Sequence, residues 1–153
     1  MASDMVRVGR EQLRQVQAVM DKAFADDPTV LWVSDLPEVF EEEHHRYVAM
    51  CADPAIDAGG VHATPGFEGA AIWYPPGVGV DDDAYEAFKA TVRFPDKIAG
   101  LGELAEACDA FRPSGPHWTL ELVAVDPDIQ SKGIGSRLMR FGLDVCDVEN
   151  LPV

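Results

Sequence analysis

An α/β fold is what this sequence predicts, on three observations. Apolar residues recur at helical period in well-separated stretches. Short apolar runs bounded by Gly and Pro lie between them and read as strands. Near the end, one such run passes through a short turn into a glycine-bearing helix start. The 153 residues, 47% hydrophobic and 25% charged, suit one folded domain over residues 1–153, with a core of its own.

The elements follow in order. Val6-Arg7-Val8 reads as a short strand. From Glu11 to Ala25, Leu13, Val16, Val19, Met20 and Phe24 form a helical stripe, which Asp26-Asp27-Pro28 ends. A second helix is expected from Leu36 or Pro37 to Cys51, with Phe40, Tyr47, Val48 and Cys51 on its apolar side. Its Glu41-Glu42-Glu43-His44-His45 run reads as a solvated face. Glu41 and His45 stand at metal-ligand spacing, but no second pair supports a metal site, and none is expected. Gly60–Thr64 and Gly69–Tyr74 read as a hairpin turning at Pro65-Gly66. Asp81-Asp82-Asp83 caps a helix starting near Ala84, and another covers Asp96 to Ala110. Pro113-Ser114-Gly115-Pro116 is a breaker. After it come a strand, His117–Val125, and a helix from about Gly135 whose stripe is Leu138, Phe141, Val145 and Val148.

Charge and cysteine content narrow the function. Lys and Arg number 12 against 27 Asp and Glu, a net charge of −15 that repels nucleic-acid phosphates and suits a cationic small molecule or basic partner. Acidity that serves only solubility fits as well. Three widely spaced cysteines make neither a disulfide framework nor a zinc site, and read as reduced thiols of a cytoplasmic protein. No apolar run approaches a membrane span.

The segment Val123-Ala124-Val125-Asp126-Pro127-Asp128-Ile129-Gln130-Ser131-Lys132-Gly133-Ile134-Gly135-Ser136 carries the chemistry. A helix start with free N–H groups, and glycines that let a ligand near the backbone, makes an anion site. Lys132, Arg137 and Arg140 reverse the local charge. The spacing is neither a Walker loop nor a dinucleotide fingerprint, and a turn that only packs a helix closely has the same glycines.

Gln130-Ser131-Lys132-Gly133-Ile134-Gly135, preceded by Leu122-Val123-Ala124-Val125-Asp126-Pro127, resembles motif A (Q/R-x-x-G-x-G/A) of the GNAT-family N-acetyltransferases. Phe24-Ala25-Asp26-Asp27-Pro28, the strand ending Ile72-Trp73-Tyr74-Pro75-Pro76 and the helical insertion after it are similar to puromycin N-acetyltransferase-like members.

The resemblance implies a mixed, mostly antiparallel sheet flanked by helices. It also implies acetyl-CoA as co-substrate and direct transfer of acetyl to a small-molecule amine. Pantetheine would pair with the strand at Val123, Ala124 and Val125, and pyrophosphate would lie on Gln130, Ser131, Lys132, Gly133, Ile134, Gly135 and Ser136. The Val123 N–H is the expected oxyanion donor. Glu121 shares a face with Thr119 and Val123 if the strand is regular, and is the candidate base or proton relay; a surface carboxylate is the alternative. Asp26, Asp27 and Trp73 are the expected acceptor-binding residues, joined by Glu42, His45 and Tyr74 as further candidates, with core packing the alternative for Trp73 and Tyr74.

Pro152-Val153 reads as the start of the next strand, which forms the other cleft wall in the family. The expectation is therefore of a domain incomplete at its C-terminus. Three accounts fit: a fragment of a longer enzyme, which is favoured; a chain that completes its sheet as a homodimer; or a non-catalytic acyl-CoA-binding or interaction module.

Overall fold

The strands β1 (Val6–Arg7), β2 (Val61–Ala63), β3 (Gly69–Tyr74) and β4 (Thr119–Val125) form one sheet in that order, each antiparallel to the next. The computed structural model describes residues 5–35 and 37–153. The helices are α1 (Leu13–Phe24), α2 (Pro28–Ser34), α3 (Pro37–Ala58), α4 (Asp82–Lys89), α5 (Pro95–Asp109) and α6 (Ile134–Glu149).

Two layers of helix cover the sheet. Val16, Met20, Val48, Cys51 and Ala55 of α1 and α3 pack on Ala70, Ile72, Tyr74 and Ala124. Leu138 and Cys146 of α6 pack on Ala71 and Trp73 from the other side. β3, apolar along its whole length, is buried at every position, because both its faces are covered. Full burial of a side chain such as Ile72 contributes about 1.5–3 kcal/mol. Val33, Phe88, Val92 and Ile98 form a third cluster joining α2, α4 and α5.

Three expectations need correction. The pair Asp27-Pro28 begins a helix as well as ending one. Asp27 caps α2 by accepting the Thr29 and Val30 N–H groups at 2.9 and 3.0 Å, with Pro28 in the first turn, where its missing N–H costs nothing. α3 runs past Cys51 and through Pro54 to Ala58, since Ala52, Ala55 and Ile56 bury against the core and hold the last turns. Its expected start falls partly on Leu36, outside the described residues. In α6 the buried line is Leu138, Gly142 and Cys146, while Val148 is 88% exposed.

Gly142 belongs to that line because the Trp73 indole lies against it. A Cβ built there would come 2.3 Å from the ring. Asp81 caps α4 as expected, its side chain accepting the Ala84 N–H at 2.7 Å.

Candidate functional site

β4 meets β3 in regular register from Val125 to Leu122, opposite Gly69 to Ile72. Leu120 then faces Trp73, so Glu121 is an extra residue, a β-bulge. The bulge changes which residues share a face. Leu122 and Ala124 pack on the α1/α3 side, while Leu120, Val123 and Val125 pack on the α6 side. The regular strand expected to put Glu121 beside Val123 is therefore corrected: the bulge turns Glu121 to the α3 side, onto Cys51.

The strand's main chain also has two directions. Asp126 donates its N–H to Glu68 O at 2.8 Å, towards β3. By alternation, the peptide groups of Val125 and Val123 point to the opposite edge, which no strand pairs among the described residues. At that edge Gln130 Nε2 donates to Val125 O at 3.1 Å. Further back along β4, Trp118 N–H donates to Pro152 O at 2.9 Å, so the chain after α6 returns to this same edge.

The turn after β4 is built to expose backbone. Asp126 accepts from Asp128 N–H at 2.9 Å, and Lys22 of α1 bridges Asp126 and Asp128 at 2.7 and 2.6 Å. Those contacts raise the Lys22 ammonium and lower the Asp126 carboxyl from their usual ranges. Ser131 and Gly133 adopt left-handed φ values of 64° and 80°, which suit glycine and strain serine. Gly133 begins α6 with no side-chain cap, leaving first-turn N–H groups for a ligand.

Every expected cofactor residue except Lys132 lines one cavity of about 360 Å³, which Met139 joins. A Cβ at Gly133 would meet nothing within 4 Å, and one at Gly135 only Val125 Cγ2 at 3.6 Å. These glycines therefore face open space and not packed core. Lys132, Arg137 and Arg140 are not ion-paired among the described residues. The donor set fits a phosphate-bearing ligand: backbone N–H groups at a helix start, little side-chain bulk, and three nearby cations.

Glu121 lines a separate hollow of about 560 Å³ with Tyr74, Arg112 and Thr119. Burial pushes its carboxyl above the usual range, while the Cys51 thiol (Sγ to Oε1 3.7 Å) and Arg112 hold it back. The Cys51 thiol is itself pushed up to about 12 by burial and by Glu121. Tyr74 donates its hydroxyl to Cys51 O at 2.9 Å.

The expected acceptor residues are spread out. Asp27 lines a third cavity on the α1/α3 side; Asp26 is exposed and lines none of these hollows. Trp73 is 1% exposed and sits between the sheet and α6 as core. The run read as a solvated face hides two buried residues, Glu43 and His44, 7% and 6% exposed. His44 stacks on Phe40 at 5.0 Å and its Nδ1 meets Asp21 at 2.6 Å, while Asp21 also holds His45. Spacing could have found them. Glu43 and His44 lie three and four residues after Phe40, and four and three before Tyr47, on the apolar side of α3.

The sequence profile described as "Acetyltransferase (GNAT) family" matches residues 18–151. The chain belongs to the GNAT acetyltransferase family. No curated protein matches it. Among solved structures it is similar to a histone acetyltransferase HPA2-related acetyltransferase from Corynebacterium glutamicum, with 22% identity, 95% of this chain and 72% of that chain covered, and a TM-score of 0.64. It is similar to agmatine N-acetyltransferase, with 16% identity, 97% and 72% coverage, and a TM-score of 0.62. Mosquito arylalkylamine N-acetyltransferase like 5b gives 19% identity, 96% and 72% coverage, and a TM-score of 0.56. At these identities the structural likeness concerns the fold.

Proposed function

We propose that this chain transfers acetyl from acetyl-CoA to a primary amine of a small, cationic molecule. The observation that carries the reading is the open edge of β4 running into the uncapped start of α6, in a family whose acetyl donor is acetyl-CoA. Acetyl-CoA supplies a thioester that an amine attacks directly. Val123 and Val125 offer main-chain groups along the open edge, with the Val123 N–H proposed to stabilise the developing oxyanion. Ser131 and Gly133 to Ser136 offer N–H groups and space for the pyrophosphate.

Glu121 is the proposed base or relay. Its raised carboxyl lies closer to neutral pH than an ordinary glutamate, which favours uptake of an amine proton. An amine acceptor is supported by the names of two structural neighbours, an arylalkylamine N-acetyltransferase like protein and an agmatine N-acetyltransferase. A cationic acceptor is supported by the net charge of −15. A reducing, cytoplasmic setting suits three free cysteines, two of them buried. Calorimetric titration with acetyl-CoA, followed by a thiol-release assay over small amines, tests the reading. Binding and amine-dependent release support it; a folded protein that binds acetyl-CoA but acetylates no amine removes the transferase.

A further inference from the structure

A cavity of about 300 Å³ lies on the α1/α3 side of the sheet, between the end of α1, α2, α3 and α5. Phe24, Val33, Tyr47, Phe88 and Ile98 make its walls apolar, and Leu122 of β4 forms part of it. One charged side chain of α3 enters this lining, Glu43, which is 93% removed from solvent (7% exposed). Its Oε1 accepts the Arg93 backbone N–H at 2.5 Å. Its Oε2 is buried and has no hydrogen-bond partner.

No Lys, Arg or His is ion-paired with this carboxylate among the described residues. The neighbouring cation, Arg46, lines a second hollow with Glu43; its terminal nitrogens reach Glu42 and Thr91 O, and its buried Nε has no hydrogen-bond partner. The other carboxylate at the cavity, Asp27, is less buried and caps α2 through its Oδ1. His44 is committed to Asp21. A buried carboxylate oxygen without a partner is costly, and a cation entering an apolar cavity beside it supplies what is missing.

We infer that Glu43 anchors a cationic group of the acceptor, whose apolar stem fills this cavity and whose second nitrogen is the one that reacts. The two-nitrogen requirement is chemical. An ammonium held against Glu43 has no free lone pair for attack. The cavity reaches β4 at Leu122, between Glu121 and Val123, so a stem anchored at Glu43 directs its other end to the strand that carries the proposed base and oxyanion donor. The fitting class is an amine joined by an aliphatic or aromatic spacer to an ammonium or guanidinium. The reacting end rests on the acetyltransferase reading; the anchor does not.

Calorimetry without acetyl-CoA tests the anchor. Hexamethylenediamine and hexylamine should bind the wild-type protein about tenfold or more tightly than hexanol. Glu43→Gln, which keeps an acceptor for the Arg93 N–H, should remove that advantage and leave hexanol unchanged. Val33→Phe, filling the cavity from α2, should weaken all three. Equal binding of amine and alcohol, or amine binding indifferent to both substitutions, overturns the anchor. With acetyl-CoA added, the diamine should be acetylated while hexylamine competes without being turned over. Acetylation of hexylamine as fast as the diamine overturns the two-nitrogen requirement. Glu43-dependent amine binding with no acetylation of any amine keeps the anchor and sinks the acetyltransferase reading alone.

Discussion

Glu121 and His62 show how burial sets what a single residue does. At Glu121 burial favours the neutral acid, against Cys51 and Arg112, so the active carboxylate form is gained at a pH above the ordinary glutamate range. The rate of a Glu121-assisted transfer therefore rises with pH through that raised value. Glu121→Gln should lower kcat about 100-fold and erase this acid limb, with acetyl-CoA affinity unchanged. A pH–rate profile that keeps its shape in the variant demotes Glu121 to a structural carboxylate. His62, packed edge-on to Phe141 at 4.6 Å, has its imidazole lowered from 6.5 to about 4 by burial and by Arg7. The unfolded chain then takes up a proton that the folded chain refuses. This contribution to stability is complete above pH 6.5 and is lost as pH falls towards 4. Urea unfolding across that window should show a decline that His62→Phe flattens. The parallel decline of both proteins would remove His62 as its source.

At the scale of elements, β4 and its turn were legible because their signal is local. A strand, Asp126-Pro127, and Gly133 and Gly135 at a helix start can be read from neighbours in the chain, and the cavity collects nearly all the expected residues. The bulge was not legible. Nothing in Thr119–Val125 says that Glu121 lacks a partner on β3, because register is decided by the facing strand. Glu43 and His44 were hidden by their charged neighbours, although Phe40 and Tyr47 mark the same side of α3. α2 is hard to see in the sequence because Asp27-Pro28 signals the end of one helix and the start of the next with the same two residues. The contact between β3 and α6 makes a prediction of its own. Gly142→Ala places a methyl group where the buried Trp73 indole lies, and should cost about 1–3 kcal/mol. Chemical denaturation measures this; an unchanged midpoint would mean that the indole moves aside freely.

For the whole molecule, the sheet separates two tasks. On the α6 side and the open edge of β4 lie the glycine turn and Lys132, Arg137 and Arg140, which are not ion-paired among the described residues, although the chain carries a net charge of −15. On the α1/α3 side lie Glu121, Glu43 and an apolar cavity. Family membership defines the fold, and the bulge at Glu121 turns its carboxyl to the α1/α3 side of the same strand that borders the glycine turn. The turn from β4 into α6 is the proposed acetyl-CoA site. Isothermal titration of acetyl-CoA into the wild-type protein and Gly135→Leu tests it most directly. Saturable binding to the wild type is expected, weakened about tenfold or more in the variant while its thermal midpoint holds. Equal affinity in the two proteins, or no binding by a folded wild type, would contradict it.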